Sequence, residues 1–174
     1  MVVHSDDEFH LAYGKALASW AVIEDALCTA FCLCCKMNPM SQMGRSLFFS
    51  GRSFATRADL LSAAIPHSPF DANHQSLLRA LLKKARQFSS SRNAIAHGIP
   101  INLHTESEAY SGVKVKEGQA AWEAGGIGID KLAEAEVNFD RLSAIIERAA
   151  WPRDRHEEYL RQVQELPNAA FARE

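Results

Sequence analysis

The stretch Ser89-Ser-Ser-Arg92-Asn93-Ala-Ile-Ala-His97-Gly98 brings a guanidinium, an amide and an imidazole together. An imidazole gains and loses a proton near neutrality, and the carbonyl end of a helix favours the charged form of such a ring. A guanidinium stays charged and suits the oxygens of phosphate or carboxylate. At about 100° per residue, Lys83, Arg86, Ser90, Asn93 and His97 fall along one polar line of a helix, while Leu81, Phe88 and Ile95 belong to an apolar seam. Arg92 follows Phe88 by four positions and precedes Ile95 by three, so it prolongs that seam. A charge at the edge of a core is costly unless partnered, which favours a fixed site or an interface over accident. Two plainer readings stand beside this one: Arg92 as a structural cation held by Glu24, Asp25 or helix-end carbonyls, and His97 as a helix C-cap.

Charge is distributed unevenly around the same residues. Between Asp71 and Glu106 no acidic residue occurs, while Arg79, Lys83, Lys84, Arg86 and Arg92 make the segment +5; the other 14 basic residues face all 21 acidic ones, leaving the remainder at −7. An anionic ligand such as an RNA phosphate would be drawn to that segment, with Lys83, Arg86 and Ser90 as RNA-contacting candidates. The alternative is a solvated charged face.

The elements that must position these groups read as helices. The first is predicted over about Asp6 to Lys36, with Ser5 as N-cap and Phe9, Tyr13, Ala16, Trp20, Ile23, Leu27, Ala30 and Cys34 spaced by fours and threes into one stripe. After Asn38-Pro39 comes a short segment with Leu47, Phe48 and Phe49. A second helix starts near Ser53, carries Phe54, Ala58, Leu61 and Ile65, and ends at Pro66 and Pro69. The third is predicted over about Ala72 to His97, stopping at Gly98, and the fourth over about Lys131 to Ala150 with Asp130 as cap. A short charged helix over about Arg153 to Glu165 and a frayed tail after Pro167 follow. From 99 to 129 the helical period is lost, and the alternation in Ile101/Leu103 and Val113/Val115 suggests an irregular loop or a small hairpin. Helices with single apolar seams satisfy one another as an all-α, up-and-down bundle of four main helices plus the short C-terminal one. At 174 residues this makes one domain, with its core at 6–150 and the short helix and tail at 153–174.

Composition narrows the classes further. With 47% hydrophobic and 23% charged residues the chain can bury a core. The N-terminus lacks a basic region followed by an apolar run, and the most apolar window, Ala26 to Cys35, is shorter than the roughly 20 residues a bilayer requires. The expectation is a cytoplasmic chain with no membrane span. Cys28, Cys32, Cys34 and Cys35 are too close together for a disulfide framework. Residues 28, 32 and 35 share a helical face and 34 does not, which suits zinc poorly and small buried hydrophobes better.

Arg92-Asn93-Ala-Ile-Ala-His97-Gly98 resembles the signature of HEPN domains (higher eukaryotes and prokaryotes nucleotide-binding), and Trp20-Ala-Val-Ile-Glu24-Asp-Ala-Leu27 is similar to the opening helix of many bacterial members. The resemblance extends over roughly residues 6–150. It implies a helical bundle paired in a homodimer, two motif copies in one cleft, and an endoribonuclease that uses no metal or cofactor, of the kind found in toxin–antitoxin and phage-defence systems. Arg92 and His97 would be the catalytic pair and Asn93 their polar companion. His97 would serve as general base or acid at the ribose 2′-hydroxyl and the leaving oxygen, with Arg92 stabilising the phosphoryl charge. On one ideal helix Arg92 and His97 lie about 140° apart, a difficulty that a second subunit or a bend at Ser89-Ser90-Ser91 would ease. Family toxins whose cognate antitoxin acts by nucleotide modification carry a Tyr two residues after the motif His; this chain has Ile99 there. The same resemblance allows a non-catalytic dimer that binds nucleotide, RNA or a protein partner.

Overall fold

The four-and-three spacing of apolar residues on the first helix sets the architecture. The computed structural model describes residues 6–97, 99–104, 109–114, 127–151 and 155–171. Its helices are α1 (Asp6–Cys34), α2 (Gln42–Phe49), α3 (Phe54–Ala64) continued by a 3-10 turn (Ile65–His67), α4 (Ala72–His97), α5 (Ile129–Ala150) and α6 (His156–Gln164). Phe9, Ala16, Trp20, Ile23, Leu27, Ala30 and Cys34 are buried along α1, with Tyr13 half-buried beside them. That stripe lies mainly against α5, whose Leu132, Ala135, Phe139, Leu142, Ile146 and Ala149 form the complementary seam. Leu77, Leu78, Leu81, Leu82, Ala85, Phe88 and Ile95 of α4 complete the core. The fold is the expected all-α bundle.

Between α4 and α5, β1 (Ile99–His104) and β2 (Ala109–Lys114) pair antiparallel, with Ile101 opposite Gly112 and Leu103 opposite Tyr110. The segment read as a loop or hairpin is therefore a hairpin over 99–104 and 109–114, and its last residue, Ile129, already belongs to α5; 105–108 and 115–126 lie outside the described residues. So does Ser5, the expected cap of α1.

Helix ends follow their local chemistry. The amide of Lys36 donates to Leu33 O (3.1 Å) and that of Met37 to Cys32 O (2.8 Å), while Lys36 adopts a φ of 57°. This is the Schellman closure, and the left-handed position is one that glycine fills without a Cβ penalty. Lys36→Gly is expected to raise unfolding stability by about 1 kcal/mol, read as a shifted urea midpoint at constant slope. At α3, the Ser53 hydroxyl accepts from the Thr56 amide (3.1 Å), and at α4 Asp71 Oδ1 accepts from the His74 amide (2.8 Å).

Several expectations are corrected. Asp130 lies inside the first turn of α5, whose N-cap is Gly128 with no side-chain bond. The segment around Leu47 to Phe49 forms α2, and it comes so close to α1 that a Cβ on Gly44 would stand 2.7 Å from Cys32 Sγ. The last helix begins at His156, since Arg155 is its N-cap, and the described residues after Pro167, 168–171, are not frayed: Ala170 and Phe171 are buried. The apolar part of α1 also extends past ten residues; by length and composition this helix could cross a membrane, although more than half of that window is buried within the bundle.

The four cysteines are free thiols, three of them buried. Burial pushes Cys28 and Cys34 from 9.0 up to about 12, with Cys32 adding to the shift at Cys28 and Cys35 at Cys34. Between those values the folded chain holds protons that the unfolded chain has released, so stability falls as pH rises above 9. The urea midpoint is expected to drop between pH 8 and pH 10, and the drop should be shallower in the Cys28→Ala/Cys34→Ala double variant.

Candidate functional site at the end of the fourth helix

Two sides of one helix deliver the motif. Lys83, Arg86, Ser90, Asn93 and His97 are all exposed along α4, as the polar line requires, while Phe88 and Ile95 are fully buried on the other side. Arg92 sits between the two sides and is half-buried. Its Nη1 donates to Asn93 Oδ1 (3.1 Å), and its Nε lies in the interior with no partner among the described residues. A buried donor left unpaired costs about 1–3 kcal/mol, so local packing alone gives no reason for a guanidinium here.

The carboxylates that would have made Arg92 a structural cation are engaged elsewhere. Glu24 Oε2 accepts from Arg57 (3.0 Å), with both side chains largely buried, and Asp25 is bound by Arg45. Helix α4 runs unbroken through Ser89, Ser90 and Ser91; the first two hydroxyls donate to carbonyls one turn back, at Arg86 and Gln87. The half-buried Arg92 and the exposed His97 thus diverge within a single chain, and among the described residues no hydrogen bond joins them.

The basic patch is smaller than its sequence suggests. Lys84 is 8% exposed and points inward, where its ammonium donates to Leu166 O (3.0 Å) and Pro167 O (3.2 Å); burial lowers its pKa, and neighbouring Lys83 adds to that. Arg86 pairs with Asp59 of α3 (2.6 Å), and Arg79 donates to Gln75 Oε1 (3.2 Å). Of the proposed RNA contacts, Lys83 and Ser90 remain exposed, while Arg86 is exposed but already paired.

Sequence reasoning missed the groups that brace this end of α4. Ser91, fully buried and adjacent to Arg92, accepts from the Ala170 amide (3.2 Å), and Asn138 of α5 donates to Ala170 O (2.9 Å). Together with Lys84 they clamp the stretch 165–171 beneath the motif helix. The available signal was the position of Ser91 on the seam, three residues after Phe88.

Among the described residues no three His, Cys, Asp or Glu side chains are grouped as metal ligands. A hollow of about 590 Å³ lies at the opposite end of α4, lined by residues including Asn73, Ser76, Arg155 and His156. Comparison with protein-family models, curated proteins and solved structures finds no match to this chain.

Proposed function

We propose that this chain is a HEPN-like, metal-independent endoribonuclease that acts in the cytoplasm as a toxin or phage-defence component, with its site composed at a homodimer cleft. The observation that carries the reading is Arg92: a half-buried guanidinium with a neighbouring amide for partner, an idle Nε and no carboxylate among the described residues, five positions before an exposed imidazole. In this reading His97 removes the proton from a ribose 2′-hydroxyl and the 2′-oxygen attacks phosphorus. The bond to the 5′-oxygen breaks as an imidazolium returns a proton to it. Arg92 and Asn93 stabilise the charge on the phosphoryl oxygens. The products are a 2′,3′-cyclic phosphate and a free 5′-hydroxyl. Because Arg92 and His97 diverge on one helix, a second copy of α4 supplies the complementary group.

The test is incubation of the wild-type chain with RNA in excess chelator. Cleavage leaving cyclic phosphate ends supports the reading, and intact RNA bound by the chain selects the non-catalytic dimer instead. Sedimentation at micromolar concentration is expected to give a dimer, and a strict monomer would remove the composite cleft.

A further inference from the structure

At the end of α4 remote from the motif, two imidazoles meet. His74 Nδ1 and His156 Nε2 are 3.1 Å apart, with the rings edge to face at 5.2 Å and 81°. His74 is 3% exposed, its ring lies 4.3 Å from that of Phe70, and its Nε2 is enclosed without a partner. A nitrogen-to-nitrogen hydrogen bond requires one of the facing atoms to be bare. Were both rings imidazolium, two N–H groups would face each other and two positive charges would stand in contact.

The surroundings add to that cost. His74 and His156 both lie in the first turn of their helices, at the positive pole of each dipole. Among the described residues Asp71, whose carboxylate caps the His74 amide and also interacts electrostatically with His156, acts in favour of protonating His74; burial and His156 both act against it and push it below 6.5. Around His156 stand Arg155, Glu157 and Glu158, with Arg155 spending its charge on Glu158 (3.7 Å). The 3-10 turn packed on α4 brings His67, which is exposed. Beyond this bond, α6 is seated by the buried side chains of Tyr159 and Val163, and the stretch after it by the Lys84, Ser91 and Asn138 contacts.

We propose that His74 and His156 form an acid-released latch, which seats α6 and the stretch 165–171 against α4 while one imidazole is neutral and lets them lift once both are protonated. The latch does not depend on the ribonuclease reading. Its direction follows from linkage: a solvated imidazole takes its proton near 6.5, whereas the seated pair resists the second proton. Below about 6.5 the lifted form binds more protons, so opening becomes about tenfold easier for each pH unit until the seated pair itself titrates.

Amide exchange of the full chain at pH 7.5 and 5.5, expressed as protection factors so that intrinsic rates cancel, tests this. The wild type is expected to lose about tenfold protection over 156–171 on acidification while 132–149 in α5 keeps its own; in the His74→Gln/His156→Gln double variant, whose side-chain amides bond without titrating, 156–171 should show equal protection at both pH values. Equal protection in the wild type, an equal loss in the variant, or a loss spread over α5 as well would each overturn the latch. Should the variant not fold, imidazole titration of the wild type by NMR decides: two separated steps, the lower one clearly below 6.5, support it, and two independent steps near 6.5 overturn it.

Discussion

His97→Ala is expected to slow RNA cleavage in excess chelator by about 10²–10⁴-fold, the usual range for losing a positioned general acid or base. The thermal midpoint should not move, because the ring is exposed and no hydrogen bond holds it among the described residues. Arg92→Met is the sharper companion. It keeps an unbranched stem on the seam and removes the enclosed Nε that has no partner. Cleavage is expected to fall about 10²–10³-fold, the cost of losing one donor to a developing charge. The midpoint is expected to stay level or rise, since an unsatisfied donor has gone. A structural arginine would behave in the opposite way, with stability falling and cleavage following only as far as the folded fraction falls. Measuring both quantities on one sample separates the two.

The largest effect on stability is expected at Trp20. Its ring meets Phe54 of α3 edge-on at 5.0 Å and Phe139 of α5 at 5.3 Å, and Phe139 in turn lies 6.0 Å from Phe88 of α4. One side chain of α1, 2% exposed, thus joins an aromatic series running through all four main helices. Trp20→Ala is expected to destabilise by about 3–5 kcal/mol, the range for emptying an aromatic site in a core. That is a large part of the 5–15 kcal/mol typical of a whole domain. Trp20→Phe should cost far less, because the indole N–H has no partner to lose. Equal losses in the two variants, measured by urea unfolding, would show that the indole edge rather than the ring volume matters there.

Periodicity carried most of the fold. The apolar stripe of α1, the Ala72 to His97 span of α4 and the seam of α5 were legible because burial on one side of a helix leaves a 3.6-residue rhythm. What stayed hidden depended on partners distant in sequence. Lys84 reads as one more surface cation until Leu166 O and Pro167 O are seen to receive it, and the stretch 165–171, short and without period, gives no sign that it is clamped. The capping error at α5 is of a different, local kind: Asp130, a side chain of the right type, stands two residues past Gly128, where the backbone turns into the helix. At the motif, the polar line and the inward lean of Arg92 were legible from spacing alone. That Asp59 claims Arg86 and that Arg57 claims Glu24 was not, because those pairs join helices far apart in the chain.

The dominant helix–helix interface also joins distant parts of the chain, α1 to α5, with α2, α3, α4 and the hairpin strung between them. Bringing those two seams together means closing a loop of nearly a hundred residues before any of their burial is gained. Helical proteins usually fold fast because their contacts are local. This one is expected to refold more slowly than its helix content implies, with α3 and α4 already collapsed against each other while the outermost seam waits to close.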